Sequence, residues 1–129
     1  MLVDSSGWIE FFTDGPLADE YASYLKRPQD LVTPTVVLYE VYKVIKRQRS
    51  EEEALAAVAQ MGKTRVVPLT DSVALTAADL SLVYHLAMAD AIVYATALTE
   101  HTTVVTGDAD LQHLPDVRYL RKSEGPRIR

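Results

Sequence analysis

Apolar positions along the chain follow two rhythms. Short apolar runs at Leu2-Val3, Leu31-Val32-Thr33, Arg65-Val66-Val67-Pro68-Leu69, Thr103-Val104-Val105-Thr106 and Val117-Arg118-Tyr119-Leu120 predict strands, that at Leu31-Val32-Thr33 buried, and the stretches between them repeat at helical spacing. Ser5 or Ser6 caps a helix carrying Trp8, Ile9, Phe11 and Phe12, and Gly15-Pro16 then breaks the chain. Leu17, Tyr21, Tyr24 and Leu25 form a second helix that stops at Arg27-Pro28. Thr33-Pro34-Thr35 opens a third, in which Val37, Val41, Val44, Ile45 and Gln48 share a face bordered by Glu40, Lys43 and Arg47. Ser50 with Glu53 is a capping box for a fourth helix ending at Gly62. Thr70 caps a fifth whose apolar face is Leu75, Ala78 and Leu82, and after a break near His85 to Met88 a strongly apolar sixth runs from Ala89 to about His101.

Strands alternating with helices imply right-handed crossovers, and so a three-layer α/β/α fold around a short parallel sheet. In such sheets, sites form beyond the carboxyl ends of the strands. The 129 residues are the size of one domain, with no repeat or linker, and residues 122–129 read as a mobile tail. No apolar stretch approaches the roughly 20 residues that span a bilayer, so neither a membrane span nor a signal peptide is expected. The absence of cysteine excludes disulfides and thiolate metal sites and fits a reducing compartment, so the expected location is the cytoplasm. A net charge of −5 argues against coating of nucleic acid by the whole surface, but six bases between Lys43 and Arg65 and five between Arg118 and Arg129 make the chain locally basic. His85, His101 and His113 are too dispersed for a paired metal motif and read as solvated or capping residues. The glycines and serines form neither a dinucleotide fingerprint nor a nucleophile elbow.

On this map Asp4 ends the first strand, Asp108 and Asp110 follow the late one, and Asp90 sits in the first turn of the apolar helix, where it has no polar face to rotate to. Glu40 lies on the margin of a buried face. Carboxylates crowded together and partly desolvated require protons or cations, and an oxygen-only set favours a hard cation, Mg²⁺ or Mn²⁺. Each acid has a plainer role available: Asp4 or Asp90 at a helix start, Asp108 and Asp110 in a turn, Glu40 paired with Lys43. Their joint placement at strand ends and helix starts of one sheet favours a metal site.

These residues also carry a resemblance. Leu2-Val3-Asp4-Ser5-Ser6-Gly7-Trp8-Ile9-Glu10-Phe11-Phe12, Thr33-Pro34-Thr35-Val36-Val37-Leu38-Tyr39-Glu40-Val41, Ala89-Asp90-Ala91-Ile92-Val93-Tyr94-Ala95-Thr96-Ala97 and Val104-Val105-Thr106-Gly107-Asp108-Ala109-Asp110-Leu111 together resemble a PIN-domain nuclease, closest to the VapC-type toxins of toxin–antitoxin pairs. The resemblance spans nearly the whole chain. It implies an endoribonuclease using Mg²⁺ or Mn²⁺, inhibited by a cognate antitoxin protein and usually a homodimer. It places the four acidic positions on Asp4, Glu40, Asp90 and Asp108, the supporting hydroxyls on Ser6 and Thr106, and a less regular acid on Asp110. Leu111 and Gly107 depart from the family's habit, which has Phe and a larger residue there. Asp4, Asp90 and Asp108 would then hold the ion, Glu40 would activate the attacking water or hold a second ion, and cleavage would leave a 5′-phosphate and a 3′-hydroxyl.

Rival readings remain. A relaxed P-loop at residues 57–64 lacks the strand before and helix after that cradle phosphate. An aspartyl-phosphate phosphatase would want an acid where Ser6 stands, and a phospho-receiver would want a lysine near Thr106. From another class comes a catalytically idle PIN-like module that binds RNA or protein. Lys43, Lys46, Arg47 and Arg49 read equally as a strip contacting RNA phosphates, led by Lys43 and Arg47, or as a solvated face. Trp8, Phe11 and Phe12 are expected in the core, and Tyr21, Tyr24, Tyr39 and Tyr42 as partly exposed partner contacts.

Overall fold

The computed structural model describes residues 1–122. Five strands and six helices appear in these residues: β1 Leu2–Val3, α1 Ser5–Phe12, α2 Ala18–Tyr24, β2 Val32–Pro34, α3 Thr35–Gln48, α4 Glu51–Met61, β3 Arg65–Val67, α5 Asp71–Tyr84, α6 Met88–Thr99, β4 Val104–Thr106 and β5 Val117–Tyr119. The tail expected at 122–129 lies, beyond Lys122, outside the described residues.

Every strand pairing is parallel, as the crossovers require, but the sheet is two ladders rather than one. β4 sits between β1 and β5, with Leu2 opposite Val104 and Val104 opposite Val117, while β2 pairs only with β3. The ladders meet where the Val32 N–H donates to the Met1 carbonyl oxygen at 2.9 Å, giving the spatial order β3-β2-β1-β4-β5. β3 is shorter than the sequence predicts because Pro68 has no N–H to extend the ladder. The strands β1, β2 and β4 are buried throughout.

Most helix starts follow the sequence, but α1 is capped by Asp4 rather than by Ser5 or Ser6, which lie inside the helix because the Asp4 carboxylate takes the Ser5 N–H. Ser50 Oγ accepts the Glu53 N–H and Thr70 Oγ1 accepts the Val73 N–H, while Gly62 ends α4, which disposes of the P-loop reading. Residues 91–97 of α6 are buried without interruption, each large apolar side chain contributing about 1.5–3 kcal/mol. The helices pack in pairs, α1 on α2, α3 on α4 and α5 on α6. One large apolar cluster joins the sheet to α1–α4 and α6, and a second joins α5, α6 and Leu111.

Three facings differ from expectation. Gln48 is exposed, because α3 turns its last residues to water once Ile45 is buried. In α5 it is Val73 and Ala77 that face inward, whereas Leu75 and Leu82 are 70% and 78% exposed. Tyr21, expected as a partner contact, is buried in the core, although Tyr39 is indeed exposed. His85, His101 and His113 are solvent-exposed, His85 closing α5 in the left-handed conformation. No single helix in the described residues is long and apolar enough to cross a membrane.

Candidate metal centre

Three remote segments deliver carboxylates to the carboxyl edge of the sheet. Asp4 follows β1 directly and caps α1, its Oδ1 accepting the Ser5 N–H at 2.7 Å. Asp90 is the third residue of α6, where free helix N–H groups favour negative charge, and the buried run after it fixes its direction. Asp108 follows β4 and caps a short 3₁₀ turn at Ala109–Leu111 by accepting the Asp110 N–H at 2.9 Å. One oxygen from each of Asp4, Asp90 and Asp108 lies within 4.8 Å of the other two.

Two hydroxyls hold the edge together. Thr106 Oγ1, fully buried, donates to Asp4 Oδ2 at 2.9 Å and accepts the Asp108 N–H at 2.9 Å, so one side chain fixes two of the three acids. Ser6 Oγ accepts the Gly107 N–H at 2.9 Å and lies 3.4 Å from Thr106 Oγ1. The loop after β4 is thereby clasped to the start of α1, which answers any loosening that Gly107 would bring.

Burial and mutual repulsion raise the proton affinity of the cluster. Asp4 is pushed up to about 6, first by burial and then by the charges of Glu40 and Asp108, against the lowering effect of Thr106 and the Ser5 N–H. Asp90 is pushed up to about 7 by burial, by a hydrogen bond to Asp108 that needs a proton on Asp90, and by the charges of Asp108, Asp4 and Asp110. Without a cation, protons must therefore be held between these acids near neutral pH.

Glu40 stands beside the triad rather than in it. Half-buried in the second turn of α3, it is raised by burial first and also by Asp108, while Ser5 and Lys43 lower it, so it shares the field of the centre. Asp110 is exposed and acts on Asp90 through its charge alone. Lys43 is near enough to affect Glu40; its Nζ lies 4.9 Å from the centre of the Tyr39 ring. Arg47 is exposed, and no described contact ties it to the centre. Sequence reasoning missed Ser5, whose polar groups serve both Asp4 and Glu40, and Glu10, buried next to the centre's edge and paired with Lys122 Nζ at 3.0 Å. The Asp-Ser-Ser run was the available signal for the first, while Glu10 gave none.

The donor set fits a hard divalent cation. Three carboxylates from separate segments offer oxygen only, within one ion's reach, and two of them bear raised proton affinities that a cation would relieve. No cysteine exists and all three histidines are solvent-exposed, so soft-ligand metals have no support here.

A parallel α/β sheet with an acidic centre at its carboxyl edge defines a recognisable class of protein. The chain belongs to the PIN domain family, which matches residues 1–117. Its fold is shared with solved toxin–antitoxin proteins. A toxin–antitoxin complex from Klebsiella pneumoniae superposes with a TM-score of 0.76 at 21% identity, covering 90% of this chain and 93% of that one. VapC20 of Mycobacterium tuberculosis, a toxin described as cleaving the sarcin–ricin loop, gives 0.73 at 21% identity over 91% and 98%. VapBC2 of Rickettsia felis, solved on a DNA fragment from its promoter, gives 0.73 at 12% identity over 93% and 96%. A comparison with curated protein sequences finds no match.

Proposed function

We propose that this protein is a metal-dependent endoribonuclease and the toxin of a toxin–antitoxin pair, hydrolysing RNA phosphodiester bonds in the cytoplasm. The observation that carries the reading is the convergence of Asp4, Asp90 and Asp108 within 4.8 Å from three segments far apart in sequence. A structural cap or turn needs one such acid, not three brought together at an energetic cost.

Asp4, Asp90 and Asp108 would hold the ion, Mg²⁺ or Mn²⁺. When bound, it supplies neutralising charge at the phosphoryl oxygens and makes nearby water more acidic. Thr106 keeps Asp4 and Asp108 in register. Glu40, with its proton affinity raised chiefly by burial, is suited to orient the attacking water and accept its proton, or alternatively to hold a second ion. Attack of the water oxygen on phosphorus breaks the bond to the 3′-oxygen, which takes up a proton, leaving a 3′-hydroxyl and a 5′-phosphate.

The toxin part of the proposal is supported by fold alone, through neighbours solved as toxin–antitoxin complexes, and implies an antitoxin protein as inhibitor. A homodimer is supported by the outward apolar stripe of α5, Leu75, Ala78 and Leu82, which continues to exposed Met88 and for which the described residues supply no cover. The test is cleavage of single-stranded RNA with Mg²⁺ or Mn²⁺ and with chelator. Metal-dependent product ending in 5′-phosphate is expected; RNA binding without cleavage under any divalent ion would favour the idle module.

A further inference from the structure

A cavity of about 320 Å³ opens next to the acidic centre, and Ser6 and Gly107 line it. Tyr21 lines it as well; the residue is 1% exposed and its Oη has no hydrogen-bond partner among the described residues. Burial pushes this phenol up to about 12, against the lowering effect of the nearby Ser6 hydroxyl, so it remains a proton donor throughout the working range of pH. Ser6, its polar neighbour, is already engaged with Gly107 and sits against Thr106. A buried hydroxyl left without an acceptor weakens the fold, and its retention points to an acceptor that arrives from outside.

Gly107 leaves a gap beside that buried donor. Its backbone is not in the left-handed region, so conformation does not require glycine. A Cβ there would stand 3.2 Å from Tyr21 Oη and 3.7 Å from Ser6 Oγ, narrowing the floor of the cavity. The remaining surroundings suit a flat ring with a charged end. Leu17 and Tyr119 supply apolar and aromatic wall, and Arg121 and Lys122 stand at the lining as cations, Lys122 held by buried Glu10. A buried donor below, an aromatic wall beside it and cations nearby together match an unstacked nucleotide.

We propose that this cavity seats the base of the nucleotide adjoining the cut phosphate, with Tyr21 Oη donating to a ring nitrogen or carbonyl oxygen of that base and Arg121 and Lys122 meeting its phosphate. The inference rests on the RNA-cleaving reading of the acidic centre and names a determinant of which sequence is cut. Tyr21→Phe removes the hydroxyl and keeps the ring, and Gly107→Ala adds one methyl at the floor.

The probes are the four nucleoside 3′,5′-bisphosphates, titrated into chelator-treated protein by calorimetry, alongside kinetics on a short single-stranded RNA with Mg²⁺. One base should bind best to the wild type. Tyr21→Phe should bind it about five- to tenfold more weakly and raise KM by a similar factor. Its kcat and Mg²⁺-induced rise in melting temperature should be unchanged, and its metal-free melting temperature equal or higher. Gly107→Ala should weaken the same bisphosphate. Equal binding by wild type and Tyr21→Phe, or a lower melting temperature in Tyr21→Phe, with wild-type cleavage intact, would overturn the cavity inference and leave the nuclease reading standing. Base-selective binding lost in Tyr21→Phe, with no cleavage by the wild type under any divalent ion, would instead overturn the nuclease reading and leave a nucleotide cavity.

Discussion

At the carboxyl edge of the sheet, Asp4 is only 3% exposed and Asp90 half-buried, while on the outer face of α5 Leu75 and Leu82 are left 70% and 78% exposed. The two regions depart in opposite directions from the rule that charge stays in water and large aliphatic side chains leave it. Each departure is costly to the isolated chain, and each would be relieved by something that binds. They differ in how much they say about the binder. The acids converge in three dimensions within 4.8 Å and offer one kind of atom, so geometry nominates a hard cation. The leucines share only a helical period, which nominates an apolar surface.

The largest effect separating the two regions should come from Asp90→Asn. RNA cleavage should fall at least about a hundredfold, because a lost ligand removes more than the 10–100-fold typical of a residue that only supports a ligand. The rise in melting temperature with Mg²⁺ should shrink as well. Metal-free protein should be as stable as wild type or more so, since one repelling and partly buried charge is gone. Paired activity and thermal-shift measurements check both halves; strong metal-free destabilisation would return Asp90 to a plain role at the helix start.

The α5 stripe should respond to the opposite chemistry. A Leu75→Glu, Leu82→Glu double substitution places charge on an already exposed face, so the monomer should keep its stability while sedimentation shifts from dimer to monomer. Cleavage by the acids should survive. A dimer that persists in this variant moves the self-contact elsewhere.

The pH dependence of metal-free stability sharpens the contrast further. Asp4 and Asp90 hold proton affinities near 6 and 7 in the fold, against 3.8 for an ordinary Asp. The folded state thus binds these protons more tightly than the unfolded state does. That stabilisation is complete below pH 3.8 and is lost as pH rises through the folded values of about 6 and about 7. Melting temperatures of the metal-free protein should therefore fall between about pH 5 and pH 8. Asp90→Asn should flatten this slope, Mg²⁺ should reverse it at the upper end, and the α5 double variant should leave it unchanged.

A smaller effect tests what holds the acidic edge together. Thr106→Val keeps the shape but withdraws a donor from Asp4 and an acceptor from the Asp108 N–H, and the cost should be about 1–3 kcal/mol by chemical denaturation. Thr106→Ser should recover most of it. Equal stability in the three proteins would mean that the clasp adds nothing to the fold.

The acids were legible for a local reason: Asp4 and Asp108 stand just past apolar strands, and Asp90 is embedded in a helix with no polar face. The strand order could be only partly inferred, because crossover rules predict parallel pairing but not that β1 and β2 meet through a single hydrogen bond. In α5 the period was read correctly and the facing was not. Spacing groups Leu75, Ala78 and Leu82 on one side, but Val73 and Ala77 are small enough to fit against Ala91 and Ala95 of α6, and packing decides which side turns in. Tyr21 and Glu10 were illegible for a longer-range reason. Tyr21 is covered by Gly7 and also by Gly107, and Glu10 by Gly15 and also by Lys122, and the second of each pair comes close only when the late strands pair with β1.

The smallest expected effect concerns the basic face of α3. Lys43 lies close enough to Glu40 to lower its proton affinity, and Arg47 is one helical turn further on and exposed, so both can meet backbone phosphates beside a strand held at the acidic edge. Such contacts position RNA without reading it. Reversing both to glutamate in an Asp108→Asn background, where cleavage is blocked, should weaken binding of all single-stranded RNAs alike. The slope of log affinity against log salt should fall by about 1.4, since each phosphate contact on a single strand contributes about 0.7. Isotherms at several salt concentrations decide it. An unchanged slope makes the face merely solvated and shifts the phosphate contacts to the second basic stretch, Arg118, Arg121 and Lys122.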